Sequence, residues 1–362
     1  MELLSSKEGI VINIFEVDDS ITWINVEVDG VSAKAVNYNF MTGKINIGDK
    51  VILNTTAVEL GLGTGGYHFV IYNKKNEQQD ISNNLGHIMK LRYTPLQFKC
   101  LAAEEQDSKY HEAFNGFVDL NNSIYIVGTL HSMVAPIAAV IKWLRPDLKI
   151  TYIMTDSGAL PLHFSKTVKK LKESDIIKNT ITVGHAFGGD FECINIYTGI
   201  IAANIIIGSD ITIIAMGPGI VGTGTKYGFS GIEQGYIIDA VNKLGGKSIT
   251  VPRIGFTDKR ERHKGISHHT LTVLNNIVNT RTNLVLPIIK GASADYINKQ
   301  IKENSINEHH NIIYENGDDV IKALLYYGLE VKTMGRDYND DEVFFQTLGA
   351  VAKAAINILE NT

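Results

Sequence analysis

Cysteine is scarce. Cys100 and Cys193 are the only two among 362 residues, far apart and in no C-x-x-C pattern. That excludes a disulfide framework and a cysteine-based zinc site, and it fits a reducing, cytoplasmic setting. Positive charge is not in excess either. Lysine and arginine number 34 against 39 aspartate and glutamate, a net charge of −5 at pH 7. No basic tract exceeds a few residues, so no electrostatic footprint for nucleic acid is expected. Long apolar runs are also missing. The most apolar stretch, Ile194 to Met216, is broken by Asn195, Asn204, Ser209 and Asp210. It reads as a buried helix followed by a buried strand, so no membrane span is expected. The opening MELLSSKEG lacks the charged-then-apolar layout of a signal peptide. Internal repeats and low-complexity segments are absent from the sequence.

What is present is ordinary globular material, 44% hydrophobic and 20% charged. The length exceeds the usual reach of one hydrophobic core, so two domains are expected, 1–105 and 106–362. Residues 1 to about 75 read as short, partly alternating strands separated by Asp29-Gly30, Thr42-Gly43 and Gly48-Asp49. That spacing predicts a small β-barrel or sandwich. The run Gly61 to Gly66 reads as a turn, because no helical pattern follows it. Asn73 to Asn84 is polar and reads as a surface loop. Gly86 to Ala103, broken at Thr94-Pro95, reads as extended chain between the domains.

From Ser123 onward, strands and helices alternate, which predicts an α/β domain with a mainly parallel sheet and helices on both faces. Predicted strands cover Ile124 to Val127, Ile150 to Met154, Ile181 to Gly184, Ile211 to Met216, Ser248 to Phe256, Leu284 to Ile289 and Leu329 to Met334. The third is followed by His185, Gly188, Gly189, Asp190 and a helix through Ile207. A closing helix is expected over Glu342 to Leu359.

In open α/β sheets, ligands bind beyond the carboxyl ends of the strands. The loops expected there hold His131 and Ser132, then Asp156 and Ser157, then His185 and Asp190. The next is glycine-rich, and the last carries Asp258, Lys259, Arg260, Arg262, His263, Ser267, His268 and His269. Five of the eleven histidines fall in these loops. Helix capping alone would account for Ser132, Ser157, Asp190 and Ser267. His268 and His269 are adjacent, so on a helix they diverge by about 100°, and one of them is expected to be structural.

The central loop, Gly217 to Gly231, holds six glycines and the single lysine Lys226. A strand, a glycine-rich loop and a helix in succession are how such sheets offer backbone N–H groups to an anion. Gly217-Pro-Gly-Ile-Val-Gly222 matches the dinucleotide pattern G-x-G-x-x-G, but a long loop follows instead of a helix. The expected acid at the end of the next strand is replaced by Arg253. The phosphate-loop pattern also fails, because Lys226 comes after Thr225 and no Ser or Thr follows it. The reading is an anion cradle from Gly217, Gly219, Gly222, Thr223, Gly224, Thr225 and Lys226. Its alternative is a glycine loop that only lets backbones pack closely.

The segments GHAFGGDFE (184–192), MGPGIVGTGTKYGFSGIEQG (216–235) and FTDKRERHKGISHHTLT (256–272) resemble those of the uncharacterised bacterial family DUF3866. GDKVILNTTAVELGLGTGGYHFV (48–70) and GHIMKLRYTPLQ (86–97) are similar to it as well, so the resemblance spans most of the chain. It implies a cytoplasmic bacterial protein and carries no activity over.

The expectation is an enzyme of hydrolase or transferase type acting on a phosphorylated or other anionic small molecule, such as a nucleotide. Arg260 and Arg262 would complete the charge neutralisation, helped by His131, Ser132 and His268. His185, Asp190, Asp258 and His263 are the candidates for proton transfer or metal binding, with Asp156 a further catalytic candidate, in acid-base or metal-assisted chemistry. Two alternatives stay open: a non-catalytic ligand sensor or assembly factor, and an NAD(P)-dependent oxidoreductase. The sequence specifies no cofactor, and its motif spacing matches no standard metal site. Neither nucleic acid nor membrane is an expected partner, and a homo-oligomer is compatible with all of this.

Overall fold

The structure is a computed structural model that describes residues 3–75 and 85–361. It divides into two compact units, Met1–Cys100 and Leu101–Thr362. In the first, five strands close into a barrel: β1 (Ser6–Val17), β2 (Ile21–Val28), β3 (Val31–Tyr38), β4 (Lys50–Asn54) and β5 (His68–Asn73). Their order is β1-β2-β3-β5-β4, with β4 returning to β1. One long strand makes closure possible. β1 gives its first half to β4 and the remainder to β2, and it bends through two register shifts near Val11 and Ile14. Val11, Ile24, Val26, Ala35, Val51, Leu53 and Val70 fill the interior. The barrel form of the expectation is therefore the one adopted.

Gly61 to Gly66 is a turn region leading into β5, as its missing helical pattern implied. A two-stranded ribbon, β6 (Ile88–Lys90) and β7 (Phe98–Cys100), turns at Thr94-Pro95. The polar stretch expected as a surface loop lies mostly in residues 76–84, outside those described.

The second unit is built on eight parallel strands. They are β8 (Ile124–Val127), β9 (Ile150–Thr155), β10 (Asn179–Val183), β11 (Phe191–Cys193), β12 (Ile211–Met216), β13 (Lys247–Thr250), β16 (Asn283–Pro287) and β17 (Asn311–Glu315). Their order is β11-β10-β9-β12-β8-β13-β16-β17. Between β13 and β16 the chain also forms a short antiparallel pair, β14 (Ile254–Gly255) and β15 (Gly265–Ile266).

The central strands are apolar throughout because both of their faces are covered. Along β8, Ile124 and Ile126 join one core while Tyr125 and Val127 join the other. The first core takes the helices Val134–Leu144, Asp319–Tyr326 and Glu342–Glu360; the second takes Ile196–Ile205 and Glu233–Lys243. By length and composition the closing helix could cross a membrane, but 61% of its apolar window is buried in this unit.

Three sequence expectations change. Three residues of strand, β11, lie between Asp190 and the following helix, and that helix begins at Ile196 with Asn195 as its cap. Ser248 to Phe256 is not one strand: β13 ends at Thr250 and β14 begins at Ile254, with Pro252 between. Leu329 to Met334 forms no strand, and Leu329 and Val331 instead pack on the helical core.

Candidate functional site at the carboxyl edge of the sheet

The edge is assembled from the middle. β12 leads into the glycine loop, and the loop ends at the helix Glu233–Lys243. Two residues of that helix's first turn stitch neighbouring strands together. The Gln234 side chain donates to the carbonyls of Val127 (2.8 Å) and Val251 (3.0 Å), at the ends of β8 and β13. The Glu233 carboxylate accepts from the hydroxyls of Thr155 and Ser157, at the end of β9. Burial raises the Glu233 pKa above the usual carboxylate value, and the two hydroxyls and nearby Asp156 modulate that rise. Tyr236, one turn further on, is half exposed, and burial lifts its hydroxyl to about 12.

On this side of the edge Asp156 and His185 come together, since the backbone N–H of His185 donates to Asp156 Oδ2 at 2.9 Å. Gly184 makes this possible. Its φ is +64°, and a Cβ there would fall inside the Asp156 carboxylate. The loops after β9 and β12 are laced backbone to backbone, with Ala159 N–H donating to Pro218 O at 2.7 Å. A Cβ on either Gly158 or Gly217 would strike the other loop's backbone.

Beyond that root the glycine loop is a hairpin, with Gly222 bridged to Phe229. It spends much of its hydrogen bonding on itself. Thr223 N–H donates to Gly228 O (2.7 Å), Ser230 N–H to Val221 O (2.9 Å), and Gly228 N–H to Thr225 Oγ1 (3.2 Å). The Thr223 and Thr225 hydroxyls pair with each other at 2.9 Å. Residues 219 and 221–227 are exposed, Lys226 among them, and its ammonium stands over the Tyr227 ring.

The charged loop meets this hairpin. The β14–β15 pair closes its base, and Gln300 holds β15 by accepting from Ile266 N–H and donating to Lys264 O and Ile266 O. Ser267 then caps the helix His268–Asn276 through His269 N–H. Phe229 stacks on His269, with ring centroids 4.0 Å apart. Arg262 lies beside Gly224 at the hairpin tip, its Nη1 3.5 Å from where a Cβ would stand.

His263, His268 and His269 form one cluster, and ring nitrogens from all three lie within 4.8 Å of one another. The His pair was expected to diverge. Both rings nevertheless approach His263, whose centroid is 5.1 Å from each, because His263 arrives from the preceding loop against the first helical turn. His263 Nδ1 bonds Ser267 Oγ at 2.8 Å, and Arg262 Nε approaches His263 Nε2 at 3.4 Å. His268 Nε2 is buried and has no hydrogen-bond partner among the described residues. Burial and the nearby Arg253 and Arg260 charges lower His263 to about 4. Burial and the neighbouring imidazoles lower His269 to about 3. All three imidazoles are lowered, so the cluster is neutral at pH 7.

Asp258 lies between guanidiniums. Arg260 grips it bidentately at 2.9 and 2.8 Å, and Arg253 reaches it at 3.3 Å. The Arg260 hydrogen bonds hold its pKa well below the ordinary carboxylate range, which suits an ion-pair anchor better than a proton carrier.

Three candidates stand apart from these groups. Asp190 accepts from the N–H and hydroxyl of Thr180, at the amino end of β10, so it sits on the opposite edge. His131 packs inward, bonded to Ser165 Oγ (2.7 Å) and the Tyr152 hydroxyl (3.3 Å), and burial lowers it to about 4. Ser132 beside it is half-buried in the same turn. Residue-by-residue reading missed Glu233 and Tyr236. An acid in a helix's first turn ordinarily complements the dipole, and only the fold shows it reaching β9.

The architecture defines a class: a barrel unit joined in sequence to an all-parallel α/β unit with a glycine hairpin at the sheet's carboxyl edge. A family model described as a protein of unknown function, DUF3866, matches residues 34–352. The chain belongs to that family, as the quoted segments implied. No curated protein matches it.

Proposed function

We propose that this edge binds a phosphorylated or otherwise anionic small molecule, and that the protein is a hydrolase or transferase acting on it. One observation carries the reading: the glycine hairpin and the arginine loop converge, with Phe229 stacked on His269 and Arg262 at Gly224. Arg262 is exposed and, unlike Arg260, is not fixed to Asp258, so its fork can take an anion bidentately. The Ser157 hydroxyl, on the same edge and hydrogen-bonded to Glu233, has a proton acceptor already in place. Glu233 receives that proton, and Thr155 on its other oxygen keeps the carboxylate oriented. The partner is a small molecule in the cytoplasm, since a net charge of −5 offers no attraction to polyanions.

Thermal-shift screening of the whole chain with phosphate, nucleotides, sugar phosphates and dinucleotides tests the binding half. A ligand at a hundred times its dissociation constant adds about 2.7 kcal/mol. Arg262→Ala should weaken the selected ligand by about tenfold or more, the worth of one charged hydrogen bond. Undiminished affinity in that variant would remove the site from the arginine loop. With a turnover assay in hand, Glu233→Gln should cut the rate by about two powers of ten at unchanged affinity. An unchanged rate would leave binding without the proposed catalysis.

A further inference from the structure

We infer that His263, His268 and His269 are a binding site for one divalent transition-metal ion, held by three imidazole nitrogens with a coordination position left for an anion. The inference deepens the preceding reading, from which it takes only the anion that shares the edge.

Three features support an ion site at the centre of the cluster. First, the three rings place nitrogens within 4.8 Å of one another, and small side-chain rotations would bring these to the separation needed for metal–nitrogen bonds of about 2.0–2.1 Å. Second, His268 Nε2 is buried without a partner among the described residues, which is costly for a polar atom unless something fills the gap. Third, the orientation of His263 is already set from behind. Its Nδ1 donates to Ser267 Oγ at 2.8 Å, which leaves Nε2 as the acceptor on the opposite side, where Arg262 Nε approaches at 3.4 Å and would give way to an ion. Such an outer hydrogen bond is how proteins fix the tautomer and angle of a ligating imidazole. Phe229 likewise fixes His269 by stacking on it.

The donor set selects the ion. Three neutral nitrogens suit zinc, cobalt, nickel or iron, whereas magnesium and calcium want oxygen. The surroundings then shape the rest. Arg253 and Arg260 lie close and Arg262 reaches Nε2 of His263, so a bare cation meets repulsion that Asp258 only partly offsets. An anion on the open position would bridge the metal and Arg262. Metal and anion should therefore bind cooperatively, each strengthening the other by about tenfold.

The test titrates the chelator-stripped, full-length protein with cobalt(II) alone, following its visible absorption, then with zinc(II) in competition. One ion per chain is expected, with binding weakened at least thirtyfold by His268→Gln and by His269→Gln. The exposed His309 serves as control, and His309→Gln should leave uptake unchanged. Circular dichroism of each variant checks folding. Nitrogen-15 spectra of the unaltered protein give an independent readout, in which zinc should shift the ring nitrogens of three histidines together. No stoichiometric uptake, or uptake that survives both substitutions, overturns the site. Phosphate binding is measured separately on metal-free protein, unaltered and with Arg262→Ala. Phosphate binding that Arg262→Ala weakens, with no metal uptake, would sink this inference alone; metal uptake with phosphate binding that Arg262→Ala leaves undiminished would sink only the anion reading.

Discussion

Acid should weaken the second unit through His131, and the size of the effect follows from its hydrogen bonds. Ser165 Oγ accepts from Val168 N–H at 3.1 Å, so its own proton points to His131 Nε2 at 2.7 Å. On the other side the Tyr152 hydroxyl donates to Ala215 O at 3.1 Å and accepts from His131 Nδ1–H. The chain is complete only with a neutral ring. A second proton would set an N–H against the Ser165 O–H, which would have to turn away from the ring while Oγ still caps the helix Lys166–Glu173. Burial of the ring lowers His131 to about 4 in the fold, against 6.5 in the unfolded chain. Between those values the unfolded state holds one more proton, so stability falls as pH drops from 6.5 to 4 and is unaffected by this group above 6.5. At 1.36 kcal/mol per unit, the whole loss is about 3 kcal/mol.

Urea unfolding at a series of pH values between 7.5 and 4.5 measures it. Trp143 on the helix Val134–Leu144 is the reporter, in a background where Trp23 of the barrel is replaced by phenylalanine. The comparison is with His131→Gln, which keeps an acceptor for Ser165 and cannot titrate. At pH 7.5 the variant should be weaker by about 1 kcal/mol, the worth of an imperfect hydrogen bond. Below pH 6 its stability should fall less steeply than wild type by about 1.4 kcal/mol per unit, a difference of one proton. The buried imidazoles of the His263 cluster steepen both curves alike. Equal slopes in the two proteins would refute the neutral-ring argument.

Two glycines make further expectations. Gly184→Ala should cost about 1–3 kcal/mol, from a strained positive φ and a displaced Asp156, read as a lower urea midpoint; an unchanged midpoint would mean the Asp156–His185 link is dispensable. Gly317 lies against the closing helix, where a Cβ would run into the backbone of Gln346, so Gly317→Ala should lower the melting temperature by several degrees. A neutral outcome there would mean that the helix can shift at no cost.

The architecture was legible where local pattern and burial agree. Strands β8, β9 and β12 are buried on both faces, and their apolar runs announce it. Strand β17, on the sheet margin, has only half-buried and exposed residues, so Asn311 to Glu315 carries no long apolar run and was not anticipated. Leu329 to Met334 failed in the opposite sense, its apolar residues serving a helical core. At the site, position after a strand located Asp156, His185 and the charged loop correctly in the fold. It misplaced Asp190, because a three-residue strand carries that residue back to the amino edge. The convergence of His263 with both His268 and His269 depends on a loop folding over a helix start, which sequence periodicity does not encode.

The strand order also dictates a sequence of events. Strands β8 and β9 never pair with each other, because β12 stands between them and is made more than fifty residues after β9. A growing chain that has passed Thr155 therefore carries two apolar strands whose inner edges have no permanent partner until Ile211 to Met216 emerges. Parallel pairings over such separations form slowly, and open apolar edges invite wrong ones. The centre of this sheet is a keystone set only after both of its neighbours, and a nascent chain halted before it would be a client for chaperones, not a smaller version of the fold.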